Sequence, residues 1–582
     1  MSVSATPPII SITAIEFGAT LIVCMLSFGW PRLGSRWFEG VERIWARLAH
    51  RKALAIASVG LSVVLFRTAM LPLYPIPIPF DSDDFSTLLA TDTFAHGRLA
   101  NPTPTMWTHL ETIHVSMRPT YQSMYFPSQG LLLAAGKVVL GNPWLGQLLA
   151  SALMCAALCW MLQAWLPANW ALLGGALAVL RLGVFSYWTN TYHATGSLGA
   201  LGGALILGGL PRLMRTARVR YAFLLGTGAA ILVLTRPYEG LLLCLPVGFV
   251  VARWMWKGKD RPGARKAAQL VAAASVLILI ACGWLGYYDY RAFGNPLTLP
   301  YAVNRSQYAQ APYFVWENPR PEPAYRHPVM QSFYEKDEMG FYRLLHSPRG
   351  FVPYTLGKAG FTLYFYTGFA LLIPLIMVRR IFLDRRVRLL VVFTLILAAG
   401  SIVEIFLLPH YVAPFTPAFY AIGLQAMRHL RLWKPEGKPV GLAMVRLAMT
   451  LCVLLAGMRL FAEPLRMAPQ EWPPSNWLFA WYGPEHFGTE RAQIEAKLEA
   501  MPGPQLVLVR YDSRHEPLNE WVHNFADIDT SKVLWAREMD PANNRELMRY
   551  YHDRKAWLVE PDRMPAQISP YPGADLVSAA GN

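Results

Sequence analysis

Asp81-Ser82-Asp83-Asp84-Phe85 is the densest cluster of carboxylates in the apolar part of this chain, and it directly follows an apolar run with a Pro-rich exit. Adjacent carboxylates at such a boundary suit two chemistries. One is removal of a proton from a hydroxyl, with the second acid raising the pKa of the first by repulsion; the other is binding of a cation. A plainer role stays open, in which Asp81 or Asp83 caps the following helix and Asp84 is favoured by that helix's dipole. Further on come His114, Arg118-Pro119-Thr120-Tyr121 and Tyr125-Phe126-Pro127-Ser128-Gln129-Gly130, whose prolines set a rigid entry to a short apolar run. Thr235-Arg236-Pro237-Tyr238-Glu239-Gly240 puts a guanidinium between two apolar runs, at the depth of lipid headgroups. Arginine suits a phosphate there because it stays charged and donates in a fork; snorkelling, or a pair with Glu239, is the alternative. Ser186 to His193 combines aromatics and amides, including Tyr192 and His193, as sugar recognition requires, although aromatics also collect at any membrane interface. His410-Tyr411 supplies further donors for a phosphate. Asp92, His96 and His114 could join the carboxylates around a metal, but no tight ligand spacing supports this; no cofactor is required, and a divalent metal ion is left open.

The elements that must position these residues are membrane helices. The chain has 582 residues, of which 54% are hydrophobic and 15% charged, too apolar a balance for a soluble globule. Runs of about 20 apolar residues predict twelve crossings. They lie near 8–30, 53–74, 143–165, 168–188, 194–212, 219–235, 238–255, 266–289, 351–378, 387–408, 411–428 and 439–461. The first, from Pro7 to Trp30, contains Glu16 and has no small-residue cleavage site after it, so it reads as a retained helix. The net charge of +16 excludes little by itself, because the basic residues cluster between apolar runs; they orient the protein and do not imply nucleic acid. The clusters at 32–52, 212–220, 253–266, 379–388 and 428–438 all fall on one side, which is then cytoplasmic. All six cysteines lie inside apolar runs, so no disulfide framework or zinc spacing exists.

The fold predicted is an α-helical polytopic membrane protein of about 12 transmembrane helices with a small soluble α/β C-terminal domain. Residues 1–52 form the first helix and a basic cytoplasmic loop. Residues 53–461 form the transmembrane domain, with extracytoplasmic loops 75–142 and 290–350, and 462–582 form the extracytoplasmic tail, entered through the linker at Glu471-Trp472-Pro473-Pro474. In the first loop, Phe85 to Leu99 predicts a helix and Gln129 to Leu140 an interfacial one. In the tail, Gln505 to Val509, Lys532 to Trp535 and Lys555 to Val559 predict strands and Asn543 to Arg554 a helix. Glu16, Arg67, Arg181, Lys358 and Glu404 fall in the outer parts of their helices, and Arg446 toward the inside.

This order resembles the type C (GT-C) membrane glycosyltransferases, specifically the bacterial relatives of protein O-mannosyltransferases and aminoarabinose transferases. Asp83-Asp84 resembles their acidic pair, though the second acid is usually Glu. Phe126-Pro127-Ser128-Gln129-Gly130 resembles their Pro-Pro-Leu-type segment with one proline of two, and Thr235-Arg236-Pro237 resembles their basic hairpin. The resemblance spans roughly Ala53 to Tyr411 in topology. It implies an enzyme of the bacterial inner membrane, with its site on the extracytoplasmic side, that takes a sugar from a polyprenyl-phosphate donor. Asp83 would act as base with Asp84 beside it, inverting the anomeric carbon. Arg236 would hold the leaving phosphate, and Arg118, Tyr125, Tyr192, His193, Glu239, His410 and Tyr411 would bind substrate. The implied partners are the lipid-linked donor, membrane lipid, and a protein, lipid or glycan acceptor. A transporter or flippase for a lipid-linked or anionic substrate is the rival reading. It needs neither the long hydrophilic loops nor the outward bias of the charges.

Overall fold

A computed structural model describes residues 10–461, 465, 467–468 and 488–572 of the chain. The Glu471–Pro474 linker lies outside these residues. Among the described residues, seven helices are long and apolar enough to cross a membrane: Ile12–Gly29, Lys52–Ala69, Pro143–Trp165, Gly196–Thr216, Pro237–Lys257, Ala264–Phe293 and Val440–Leu460. Ala168–Val184, Val219–Thr235 and Arg388–Ile402 are apolar but shorter, so length and composition support a multi-pass protein without establishing twelve crossings. Pro143–Trp165 and Gly196–Thr216 are mostly buried and form the centre of the bundle, whereas Lys52–Ala69 and Ala264–Phe293 bury few residues and face outward. Their outward residues are apolar, among them Leu61, Leu65, Leu279 and Ile280, as a lipid-facing surface requires. Close central packing rests on small residues. A Cβ on Gly203 would come within 1.9 Å of the Pro414 carbonyl oxygen.

The crossing expected at 351–378 is not one helix. Phe351–Thr367 and Ala370–Leu383 meet at 109°, around Gly368 with φ +55°. A break inside the bundle frees backbone groups that hydrocarbon cannot satisfy, and polar side chains must take them. Glu16 accepts the Phe369 N–H at 3.0 Å, Arg181 donates to the Phe365 carbonyl at 2.9 Å, and Arg459 lies 3.9 Å from Glu16. These ionisable residues of the apolar runs are therefore placed at a helix break.

The basic clusters converge at one end of the bundle. Glu42, on the amphipathic helix Ser35–His50, pairs with Arg431 at 2.9 Å and Arg446 at 3.0 Å. Asp384 accepts from His429 at 2.9 Å, and Arg215 reaches the Ala164 carbonyl at 3.4 Å. At the other end, Arg67 donates to the Tyr74 and Pro75 carbonyls and to Asn190, tying the exit of Lys52–Ala69 to the start of the acidic loop.

That loop holds helix Ser82–Ala95, the antiparallel pair Val115–Ser116 and Gln122–Ser123, and helix Pro127–Leu140. The tail carries a four-stranded sheet in the order Val533–Arg537, Gln505–Val509, Lys555–Glu560, Gln567–Pro570. The first three strands are parallel and the last is antiparallel. Helix Pro541–Tyr550 matches the expected one, while helix Thr489–Glu499 and the last strand add to the elements that the sequence predicts. Alternation along the strands separates two faces. Val507, Val509, Trp535 and Trp557 pack with Ile494 and Leu498 of the tail's own helix. Leu506, Leu508, Leu534 and Ala536 pack with Leu89, Leu110, Val115 and Tyr121 of the acidic loop. One core thus spans the boundary that the sequence reading draws at 461/462.

Candidate functional site

Helix Ser82–Ala95 starts at Asp81, whose Oδ1 accepts the Asp84 N–H at 2.7 Å. Asp81 is therefore the helix cap, which frees Asp83 from that role. The helix does not expose one polar face: Asp84 to Thr93 are buried, because the membrane bundle, the rest of the loop and the tail surround it. The Leu518 carbonyl of the tail accepts the Ser82 N–H at 3.3 Å, and Phe85 stacks on His523 at 4.5 Å.

The three carboxylates have different surroundings. Asp84 is 1% exposed, and its Oδ1 accepts the Tyr192 N–H at 2.8 Å, the His193 N–H at 3.0 Å and His193 Nδ1 at 2.9 Å. Through that oxygen it holds the 192–193 turn. Asp83 keeps 17% of its side chain exposed. Its Oδ1 accepts from the Tyr125 hydroxyl and lies 2.6 Å from His114 Nδ1, while Oδ2 accepts no hydrogen bond from a described residue. Burial alone would raise the Asp83 pKa, but His114, His193 and the Tyr125 hydroxyl outweigh it and hold the carboxyl well below the usual range. Asp81 moves the other way: burial and the charge of Asp84 push it well above the ordinary carboxylate value, and its Oδ2 is buried without a hydrogen-bond partner among the described residues. Burial disfavours a charged His193, yet Asp81, Asp84 and Asp83 raise it to about 10.

Across the site, Arg236 ends helix Val219–Thr235 and precedes Pro237–Lys257. Its guanidinium lies 3.7 Å from the centre of the Tyr411 ring, donates to Thr195 Oγ1 at 3.3 Å, and stands 3.9 Å from Glu239. One long hydrogen bond and a loose ion pair leave most of its donors for a ligand. His410 is held by the Tyr187 hydroxyl at 2.8 Å, and burial with the charges of Arg236 and His193 keeps it neutral. Tyr301, on helix Pro300–Tyr308 of the second loop, joins the two halves. It packs 5.6 Å from Tyr125 and feels both Arg236 and Asp83. Asp83 and Arg236 also both act on His410 and Tyr411.

Asp83, Asp84, Tyr125, His193, Arg236, Glu239, His410 and Tyr411 are thus brought together. Tyr192 joins them through its backbone, with its hydroxyl spent on the Pro77 carbonyl at 2.9 Å. Arg118 does not join: it is exposed and lies over Trp107 at 4.2 Å. Within the buried turn 186–193, Trp188 packs on Phe365 and the Tyr187 hydroxyl holds His410, so these two rings support the site and do not line it.

Solved structures similar to this chain include archaeal oligosaccharyltransferases. One is the Archaeoglobus fulgidus enzyme tethered to an acceptor peptide containing the NVT sequon, with a TM-score of 0.47 and 10% identity over 88% of this chain and 69% of that one. Another is AglB of the same organism in complex with an inhibitory peptide and a dolichol-phosphate, with a TM-score of 0.44, 10% identity and the same coverage. A third, with zinc and sulfate, has a TM-score of 0.42 and 9% identity over 87% of this chain and 67% of that one. No family model and no curated protein sequence matches the chain.

Metal-ligand geometry differs from the expected grouping. Asp92 pairs with Lys137 at 2.6 Å and with the Ala526 N–H at 3.0 Å, so with His96 it belongs to the tail contact and not to His114. Asp81, Asp83 and His193 instead offer ligand atoms all within 4.8 Å of one another. Two carboxylates and an imidazole suit a divalent cation, and the orphaned Asp81 Oδ2 fits one. His114 and Tyr301 are the site residues that sequence reasoning did not assign to substrate. His114 had a signal, as a histidine in the acidic loop; Tyr301 had none.

Proposed function

We propose that the chain is a membrane glycosyltransferase of the GT-C kind, moving a sugar from a polyprenyl-phosphate donor to a hydroxyl acceptor at the face opposite the basic clusters. The observation that carries the reading is the pairing of an accessible carboxylate oxygen, Asp83 Oδ2, with an under-used guanidinium, Arg236. Tyr125, which bonds Asp83, packs 5.6 Å from Tyr301, and Arg236 lies 3.7 Å from the Tyr411 ring, itself 4.8 Å from His410. The donor's lipid tail would lie among the helices and its phosphate on Arg236, where neutral His410 and Tyr411 add donors without repelling it. Asp83 Oδ2 would accept the acceptor's hydroxyl proton as that oxygen attacks the anomeric carbon and the lipid phosphate departs with inversion. Tyr125 and His114 fix the carboxylate through its other oxygen. A low pKa makes Asp83 a weak base, so proton transfer belongs late in the step, when the acceptor oxygen is already bonding to carbon. Arg236 would balance the charge that grows on the phosphate. A divalent cation held by Asp81, Asp83 and His193 would supply positive charge beside the carboxylates. Twelve crossings, the inner membrane of a bacterium and an extracytoplasmic tail belong to the same proposal. The test is donor-dependent transfer from polyprenyl-phosphate sugars in liposomes, with and without chelator. Vectorial movement of a lipid-linked substrate without any transferred sugar would favour the transporter reading.

A further inference from the structure

At the basic end of the bundle, Pro211, Met214, Arg215, Trp254, Lys259 and Asp260 line a cavity of about 440 Å³. The lining comes from the last turns of Gly196–Thr216 and Pro237–Lys257 and from the turn after the second helix, so the cavity lies where both helices leave the membrane. Its floor is apolar: Trp254 is buried in a cluster with Leu213, Ala222 and Leu270. Its rim carries two cations and one carboxylate.

Two nearby arginines are already engaged. Arg212 donates to the Gly208 and Trp160 carbonyls at 2.7 Å each and lies over the Trp160 ring, and Arg261 donates to the Trp256 carbonyl at 2.9 Å. The rim charges differ from these. Among the described residues Lys259 and Asp260 make no hydrogen bond or ion pair, and Arg215 makes one long bond, 3.4 Å to Ala164.

We propose that this cavity seats the headgroup of a glycerophospholipid of that leaflet. The phosphate lies between Arg215 and Lys259, the amine or hydroxyl of the headgroup donates to Asp260, and the acyl chains leave past Met214 and Trp254. Basic pockets between membrane helices are suited to headgroups because charge and depth match together. A free phosphate fits worse, since it gains nothing from the apolar floor and meets the carboxylate of Asp260. This site stands apart from the carboxylate cluster and does not depend on the transferase reading.

The experiment is native mass spectrometry of the full chain in detergent, titrated with phosphatidylethanolamine, phosphatidylglycerol, phosphatidylcholine or inorganic phosphate. One phosphatidylethanolamine or phosphatidylglycerol should bind per chain, more tightly than phosphatidylcholine, whose quaternary head cannot donate to Asp260. Each cation removed should weaken binding about 5-fold, so Arg215→Ala with Lys259→Ala should lose about 25-fold and Lys259→Gln alone about 5-fold. Asp260→Asn should narrow the preference over phosphatidylcholine. Both rim cations are exposed, so the variants should keep the lipid-free melting midpoint. Unchanged lipid retention in the double variant would mean annular lipid only, and displacement of the lipid by millimolar inorganic phosphate would mean a free-anion site; either result overturns the proposal.

Discussion

Replacing Asp83 with Asn separates proton acceptance from helix capping. Asp81 caps the helix, so Asp83→Asn leaves the N-terminus of Ser82–Ala95 intact. What is lost is charge at Oδ1, where the Tyr125 hydroxyl donates and His114 Nδ1 approaches to 2.6 Å. Hydrogen bonds to an ionised partner contribute about 1.5–3 kcal/mol and neutral ones about 0.5–1.5, and the amide oxygen can still accept. Two such downgrades cost about 1–3 kcal/mol of stability, which a membrane bundle of this size survives. A positioned base contributes about 10²–10⁴-fold to rate, equivalent to about 3–5 kcal/mol of barrier. The assay is initial-rate transfer from a radiolabelled polyprenyl-phosphate sugar in liposomes, with melting followed on the same preparation. Turnover should fall by at least 10²-fold while the melting curve stays cooperative. If Asp83→Asn keeps activity within about 3-fold of wild type, the carboxylate is not the base. Asp81→Asn, which can still cap, distinguishes a register error: loss there with Asp83→Asn active would move the chemistry to Asp81.

Arg236→Ala should reduce transfer by about 10²–10³-fold, in the range of a deleted transition-state donor, whereas Arg446→Ala at the opposite end should change it little. Equal small effects would leave Arg236 a snorkelling residue. Gly368→Ala puts a Cβ 2.1 Å from Glu16 Oε1 at φ +55°, and should lower the melting midpoint and the yield of folded protein; a neutral outcome would refute the bent junction. Glu42 is held down to about 2: burial raises it, but the bonds and charges of Arg431 and Arg446 prevail. A depressed carboxylate stabilises above its unfolded pKa, so this contribution is complete above about pH 4.5 and is lost as pH falls toward 2. Because Glu42 is partly exposed, Glu42→Gln should cost under about 1 kcal/mol at pH 7, and the gap from wild type should close in acid; a gap independent of pH would remove the ion pair from the account.

Hydropathy and charge asymmetry alone were enough to read a helical membrane protein, because lipid admits few other spanning structures, and the short tail strands are apolar runs too brief for helices. The order of Asp83, Pro127 and Arg236 along the chain was legible too, since each follows directly on an apolar run or opens one. Three matters were settled only in three dimensions. Which carboxylate caps and which stays accessible depends on where the His193 turn and the tail close around Asp84, contacts over 108 and 436 residues that no local pattern encodes. The break at Gly368 was hidden because an apolar run reads as one crossing until Glu16 and Arg181, distant in sequence, arrive to satisfy its backbone. Tyr301 enters the site from the second loop for the same reason. Sequence determines which segments leave water, through free energy that adds locally along the chain. Tertiary structure decides which polar groups meet, because burial and charge act between segments that only packing brings together.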